Sequence, residues 1–363
     1  MAREDRIQEF EEELKKTKYN KKTQHHIGLV KAKIAKLKEE IELKKKGKGK
    51  TSGYVLKKSG DVTVVLVGFP SVGKSTLLNA ITNAESKVAA YEFTTLSVVP
   101  GLLDYKHAKI QIFDVPGMVK GAAKGTGRGK EVLAAIRTAD LIIMVVDINQ
   151  LKHKKILENE LYESGIRLNL KKPFVKINKI SKGGISVAST VPLDVKKETF
   201  KAILNEFGMV NANVLVRSKI NTDELIDVIE GNKRYMPGFL LINKVDTVSK
   251  EILDEVKAKY PDATYVSALE GINLDKLKDT IYSKLSLTSI FLKEPGKDAD
   301  MDEPLIMREE DTLRDLCHKL HKDFEKRFRF ARVWGKSARY DGQKITNLKH
   351  IIVNNDIVEL HIM

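Results

Sequence analysis

The sequence is poor in the residues that staple or anchor a chain. A single cysteine, Cys317, among 363 residues excludes an internal disulfide framework and a zinc site built on several thiolates. No apolar run approaches the roughly 18–20 residues needed to cross a bilayer. The opening stretch, MAREDRIQEFEEELKK, lacks the apolar core of a secretory signal. From these absences we expect a reducing compartment, a cytoplasmic protein and no membrane partner. The eight histidines show no metal-ligand spacing beyond the adjacent His25 and His26, which we expect at the surface. What is present is enough for packed cores: 42% hydrophobic and 31% charged residues. At about 150 residues per domain, the length suggests two or three domains.

Charge is uneven. The net charge is +15, and residues 1–60 hold 18 Lys/Arg against 9 Asp/Glu. Such an excess favours a polyanion such as RNA and shows no particular specificity for DNA. Within this segment Arg6–Lys16 reads as a short amphipathic helix. Ile27, Val30, Ile34, Leu37 and Ile41 recur at 3, 4, 3 and 4 residues, a seam for a second helix. Joined around Tyr19–Thr23, the two predict an antiparallel hairpin. KKKGKGKTSG, residues 44–53, then reads as a mobile basic linker.

The chemistry begins at Asp61–Val67, DVTVVLV, a β-branched run suited to a buried parallel strand. GFPSVGKST follows at once, and then a helical pattern. Gly68-x4-Gly73-Lys74-Ser75 is therefore a phosphate loop in its required strand-to-helix setting. Its residues Gly68, Phe69, Pro70, Ser71, Val72, Gly73, Lys74, Ser75 and Thr76 form the candidate phosphate cradle. Backbone N–H groups and the helix N-terminus attract phosphate oxygens. Lys74 reaches the terminal phosphates, and the Ser75 hydroxyl suits Mg²⁺. Ile110–Phe113 predicts a second strand, ending in Asp114-Val115-Pro116-Gly117. Asp114 would hold Mg²⁺ through water, and the Gly117 amide would sense a γ-phosphate. Between these stations lies YEFTT, residues 91–95. A threonine there can close over the metal, and spacing alone leaves open which one.

Phe239–Ile242 predicts another strand, followed by Asn243-Lys244-Val245-Asp246. The Asp246 carboxylate can accept both N–H donors on one edge of guanine. Adenine offers neither, so a buried acceptor would go unpaired at about 1–3 kcal/mol. Asn243 and Lys244 would brace the loop. Ser267, Ala268 and Leu269 follow a helical stretch, and the Ala268 amide can reach guanine O6.

GFPSVGKSTLLN, YEFTT and DVPGMVKGAAKGTGRG together resemble the Obg superfamily of translation-associated GTPases, and within it the DRG (developmentally regulated GTP-binding) family. The resemblance runs nearly end to end. It implies an α/β protein: a P-loop GTPase domain, a helical hairpin before it, a small α+β insertion like ribosomal protein S5 domain 2, and a C-terminal β-grasp TGS domain. The expected boundaries are 1–60, 61–150 with 237–289, 151–236 and 290–363. The resemblance implies GTP/GDP and Mg²⁺ as ligands, with Thr95 as the switch threonine. Lys74, Thr95 and Gly117 then carry the catalytic roles, and Ser75, Thr95 and Asp114 hold the metal. It also implies ribosome or RNA contacts. Family members in eukaryotes pair with a stabilising protein, which raises a regulatory protein partner for this chain as an open question.

Where Ras-like enzymes place a glutamine after DxxG, this chain has Met118, a weak acceptor and no donor. Slow intrinsic hydrolysis is expected. The catalytic group would come from elsewhere, since no residue is an obvious general base. Some relatives use an asparagine to bind an activating K⁺. Ser71 stands there instead, and leaves K⁺ stimulation open. A rival reading makes the protein an RNA- or ribosome-binding factor whose conformation GTP merely stabilises.

Residues 172–180 and 184–191 read as strands joined by a Ser-Lys-Gly-Gly turn, with a helix over 195–206 and a strand at 214–216. In the C-terminal segment, Asp311 is expected to cap a helix that buries Leu313, Leu316 and Cys317. Phe328, Phe330, Trp334 and Tyr340 sit among arginines. They are either core residues or a surface for RNA stacking.

Overall fold

The structure is a computed structural model, and it describes residues 3–18, 20, 23–46, 60–82, 99–115, 132 and 135–363. The predicted linker beyond residue 46 lies outside them. The described residues form two compact units, one from within 1–53 and 165–235, the other from within 54–164 and 236–363.

The hairpin consists of α1 (Arg3–Lys16) and α2 (Gln24–Lys46). Its seam joins Ile7, Phe10 and Leu14 to Val30, Ile34, Leu37 and Ile41. The turn is closed by Asn20 and Thr23, whose side chains each accept from the other's backbone N–H at 2.9 Å.

In the second unit, β1 (Val62–Val67) leads into α3 (Lys74–Ile81). β2 (Val99–Tyr105) is an antiparallel edge strand against β3 (Ala108–Asp114), and β4 (Leu141–Asp147) lies on the other side of β1. Strands β1 and β4 are buried throughout, as expected of parallel strands covered on both faces. Helix α4 (His153–Glu163) packs its Leu157 and Leu161 inward.

The chain then departs through β5 (Ile166–Leu168) and returns through β9 (Arg234–Met236), which pair with each other. Between them lie β6 (Val175–Lys179), β7 (Ile185–Ser189), α5 (Lys197–Glu206), β8 (Ala212–Val216) and α6 (Thr222–Glu230). The glycine turn after β6 does not make a hairpin. β8 inserts between β6 and β7, parallel to β7, so β7–α5–β8 is a βαβ crossover.

The compact units group the chain differently from the four expected segments. The hairpin and the insertion share one core: Ala32 and Ala35 of α2 pack with Phe200, Ile203 and Leu225 of the insertion. A Cβ on Gly28 would sit 3.1 Å from Thr222 and 3.3 Å from Thr199. Small residues at 28, 32 and 35 thus let α2 lie against α5 and α6 on the side away from α1. Polar links flank the contact: Lys31 to Asp223 at 2.7 Å, and His25 to the Thr199 hydroxyl at 2.9 Å.

After β9 the second unit resumes with β10 (Gly238–Asn243), α7 (Lys250–Lys259), β11 (Thr264–Tyr265) and α8 (Leu274–Lys284). Sheet order is β11-β10-β4-β1-β3-β2. The last region has β12 (Leu287–Lys293), β13 (Leu305–Arg308), α9 (Leu313–Leu320), β14 (Phe328–Trp334), β15 (Gln343–Ile345) and β16 (Ile357–Ile362). Its sheet order is β13-β12-β16-β14-β15, with α9 on one face supplying Leu313 and Leu316 to the core. This is the mixed β-grasp arrangement. Leu287 and Ile306 belong to the core of the six-stranded sheet, so the two regions are continuous. Arg308 also pairs at 2.7 Å with the buried Asp140, which accepts from the Thr63 N–H.

One expected cap is corrected. Asp311 does not cap α9; its carboxylate accepts from the Arg308 N–H. The cap is Thr312, whose N–H and hydroxyl both donate to Asp315 at 2.8 and 2.6 Å. Cys317 is a core residue, and burial, with Glu325 nearby, pushes its thiol up to about 11. It is therefore protonated and unreactive at neutral pH.

Ala32 is fully buried between helices. Ala32→Leu is expected to destabilise the hairpin–insertion unit by about 1–3 kcal/mol through overpacking. Thermal denaturation and proteolysis of that unit, with nucleotide binding unchanged, would show it.

Candidate functional site

The phosphate loop lies at the carboxyl ends of β1, β3 and β4, where open α/β sheets place ligands. Its two glycines are there for space as well as backbone freedom. A Cβ on Gly68 would meet the Val145 carbonyl oxygen at 2.5 Å. Gly73 has φ +89°, and a Cβ there would lie 2.4 Å from Asn243 Nδ2. Ser71 also takes a left-handed backbone, φ 63°. Gly73 caps α3, so the N-terminus of that helix opens toward the loop.

Lys74 is 7% exposed, and its Nζ donates to the carbonyls of Gly68 and Phe69 at 3.1 and 3.0 Å. Burial lowers its pKa, and the neighbouring Asp114 carboxylate pushes it back up. A polyphosphate would act in the same sense as Asp114 and hold the ammonium charged. Phe69 stacks on His153 at the start of α4, ring centroids 4.2 Å apart. This contact was not legible in the sequence, because the two residues lie on separate elements.

Strand β3 ends beside β1, with Leu66 opposite Asp114. Ser75 Oγ donates to Asp114 Oδ2 at 2.5 Å. The other carboxylate oxygen, Oδ1, is buried and has no hydrogen-bond partner among the described residues. A buried, unpaired carboxylate oxygen beside a hydroxyl suits a hard divalent cation. Among the described residues no group of three or more His, Cys, Asp or Glu side chains could hold a metal. One carboxylate and one hydroxyl fit an ion bound largely by phosphates and water, as Mg²⁺ is. Thr95 and Gly117 lie outside the described residues, as does Met118.

The base-side residues converge on the same loop. Asn243 is 2% exposed. Its Nδ2 donates to the Val72 carbonyl at 2.9 Å, and its Oδ1 accepts from the Ala268 N–H at 3.0 Å. The Ala268 amide, expected to face a base, is thus engaged by Asn243 here. Lys244, at φ 65°, donates to the Ser71 carbonyl and to Asp147 Oδ2, both at 2.8 Å. Burial pushes the Asp147 carboxyl up. Hydrogen bonds from Lys244 and from the Asn149 backbone and side chain outweigh it and hold the group below the usual carboxylate range. Asp246 stands exposed on the short turn after Lys244, free to accept from a ligand edge. Ser267 is buried and accepts from the Glu270 N–H, shaping the loop that leaves Leu269 at 78% exposure. Pro70 and Ser71 are exposed on the phosphate loop, and Thr76 is exposed on the first turn of α3.

The chain is similar to known GTP-binding proteins along nearly its whole length. The 50S ribosome-binding GTPase family matches residues 63–179, the C-terminal region of the MMR_HSR1 domain matches 182–287, and the TGS domain matches 288–362. The chain is 52% identical over 365 residues to an uncharacterized GTP-binding protein of Methanocaldococcus jannaschii, spanning 99% of this chain and 93% of the relative. It is 44% identical over 361 residues to developmentally-regulated G-protein 3 of Arabidopsis thaliana, spanning 98% and 97%. It is 41% identical over 359 residues to human developmentally-regulated GTP-binding protein 2, spanning 98% of each.

Gly73→Ala is expected to reduce guanine-nucleotide affinity about 100-fold, from the backbone strain at positive φ and the clash with Asn243. Titration with a fluorescent GDP analogue measures this, and a far-UV circular dichroism spectrum like that of the unsubstituted protein would show the effect to be local.

Proposed function

The chain belongs to the developmentally regulated GTP-binding family of Obg-type GTPases, and from that premise we propose a Mg²⁺-dependent enzyme that hydrolyses GTP to GDP and phosphate slowly on its own and acts as a translation-associated switch on the ribosome or RNA in the cytoplasm. The observation that carries the metal requirement is the unpaired Asp114 Oδ1 beside Ser75. Mg²⁺, when bound, would neutralise charge between the terminal phosphates. Lys74 would exchange its two loop carbonyls for phosphate oxygens, and the α3 N-terminus would add its partial charge. Thr95 would complete the metal site, and the Gly117 amide would register the γ-phosphate. Asp246 would read the guanine edge, with Ser267, Ala268 and Leu269 forming the other wall. An amide at Ala268 could serve both Asn243 and the base only by sharing its proton.

The ribosome reading is supported by the family description matched over residues 63–179 and by the charge of +15. No helix among the described residues is long and apolar enough to cross a membrane. The β7–α5–β8 crossover supports an S5 domain-2-like reading of the insertion. Met118 favours the second reading, a ribosome- or RNA-binding protein in which GTP only stabilises a conformation.

Two measurements test this. Asp246→Asn should weaken GTP binding about 10- to 100-fold and admit xanthine nucleotides; unchanged GTP affinity would refute the base assignment. Single-turnover hydrolysis, in K⁺ and in Na⁺, should be slow alone and accelerate strongly with cognate ribosomes. A rate that ribosomes leave unchanged would favour the binding-protein reading.

A further inference from the structure

The β-grasp sheet has a second face, opposite the one α9 covers. Its core side is occupied by Ala331, Val333, Val358 and Leu360. The residues between them form rows that run across the strands. Phe330 pairs with His361. One row over, Lys293, Glu359, Arg332 and Lys344 stand side by side on four strands. Beyond that, Phe291, Ile357 and Trp334 make a third row. Aromatic rows thus border a charged row with three cations and one carboxylate. The carboxylate is already engaged: Glu359 accepts from His361 Nε2 at 2.5 Å and lies 4.0 Å from Lys293.

Phe330 and Trp334 are half-buried, and each carries a lysine over its ring. Lys344 Nζ sits 4.3 Å from the Phe330 ring centroid, and Lys293 Nζ sits 4.7 Å from that of Trp334. His361 lies against Phe330 at 4.1 Å with the rings nearly parallel. Arg332 and Lys344 are exposed. A cation over an aromatic face is a modest contact that a stacked base can replace, while the released ammonium turns to a phosphate.

We propose that this sheet face is a binding platform for single-stranded RNA, with Phe330 and Trp334 stacking unpaired bases and Lys293, Arg332 and Lys344 taking the phosphates between them. The proposal rests on the RNA part of the function proposed above and gives it a location. Flat rings interleaved with cations fit splayed bases. The paired bases of a duplex present no ring face to such a surface.

Trp334 is the only tryptophan in the chain and so reports on this face alone. The experiment titrates full-length protein with labelled oligouridine, following RNA anisotropy and tryptophan emission together. The same strand annealed to oligoadenine, and polyglutamate as competitor, serve as controls. The expected result is saturable quenching that tracks anisotropy, with duplex binding weaker and polyglutamate a poor competitor. Phe330→Leu should weaken oligouridine binding about tenfold. Arg332→Gln should lower the slope of log affinity against log salt by about 1. GDP-analogue binding should be unchanged in both, which shows that they fold.

Binding with no change in Trp334 emission and no effect of Phe330→Leu would place the RNA contact elsewhere and overturn the proposal. Equal quenching by duplex, effective competition by polyglutamate, or no binding at all would do the same. Ribosome-dependent GTP hydrolysis by Phe330→Leu separates the two ideas. If acceleration persists while the platform fails, the switch reading stands and only this surface falls.

Discussion

The carboxamide of Asn243 spends both its ends on backbone. Its nitrogen holds the Val72 carbonyl and its oxygen holds the Ala268 amide, so the phosphate loop and the base-side loop share one buried side chain. Gly73 has no room for a side chain because Asn243 lies there. Lys244, next in the chain, braces the same loop through Ser71 and is itself anchored on Asp147. Three strand ends, β1, β4 and β10, are thereby locked into one cradle. On the proposed reading, phosphate and base recognition would be mechanically one site, and a disturbance at either end would be felt at the other.

The β-grasp region is attached at the opposite ends of the same strands. Asp140 precedes β4 and pairs with Arg308, while Asp61 precedes β1 and pairs with Lys319 at 2.8 Å. Leu287 and Ile306 carry the core of the six-stranded sheet into the second sheet. The accessory sheet is thus held at the amino edge of these strands, and the phosphate loop lies at their carboxyl edge.

Much of this was legible in the sequence, for reasons that differ by element. The phosphate loop is read locally, since its glycines, Lys74 and Ser75 act within a few residues of one another. The α1–α2 seam is read from spacing, because large apolar residues carry a periodic signal. The second face of α2 was not legible. Gly28, Ala32 and Ala35 carry no hydrophobic signal, and their partners lie some 170 residues further on, as with the His25–Thr199 pair. Asp311 looked like a cap, but it was outcompeted by Thr312 with Asp315, while the Arg308 amide engaged its carboxylate. The two sides of β14 were also hidden. A register irregularity between Phe328 and Phe330 turns the first toward the core and the second outward, against simple alternation.

The most direct test of the account is Asn243→Leu, which keeps the volume of the side chain and leaves the Val72 carbonyl and the Ala268 amide unpaired. Two buried groups at about 1–3 kcal/mol each predict a loss of at least about 30-fold in affinity for both GTP and GDP, measured by titration with fluorescent analogues. Both nucleotides should suffer, because the phosphate and base loops lose their common support. Affinity within about twofold of the unsubstituted protein, against the loss expected from the buried groups, would contradict it.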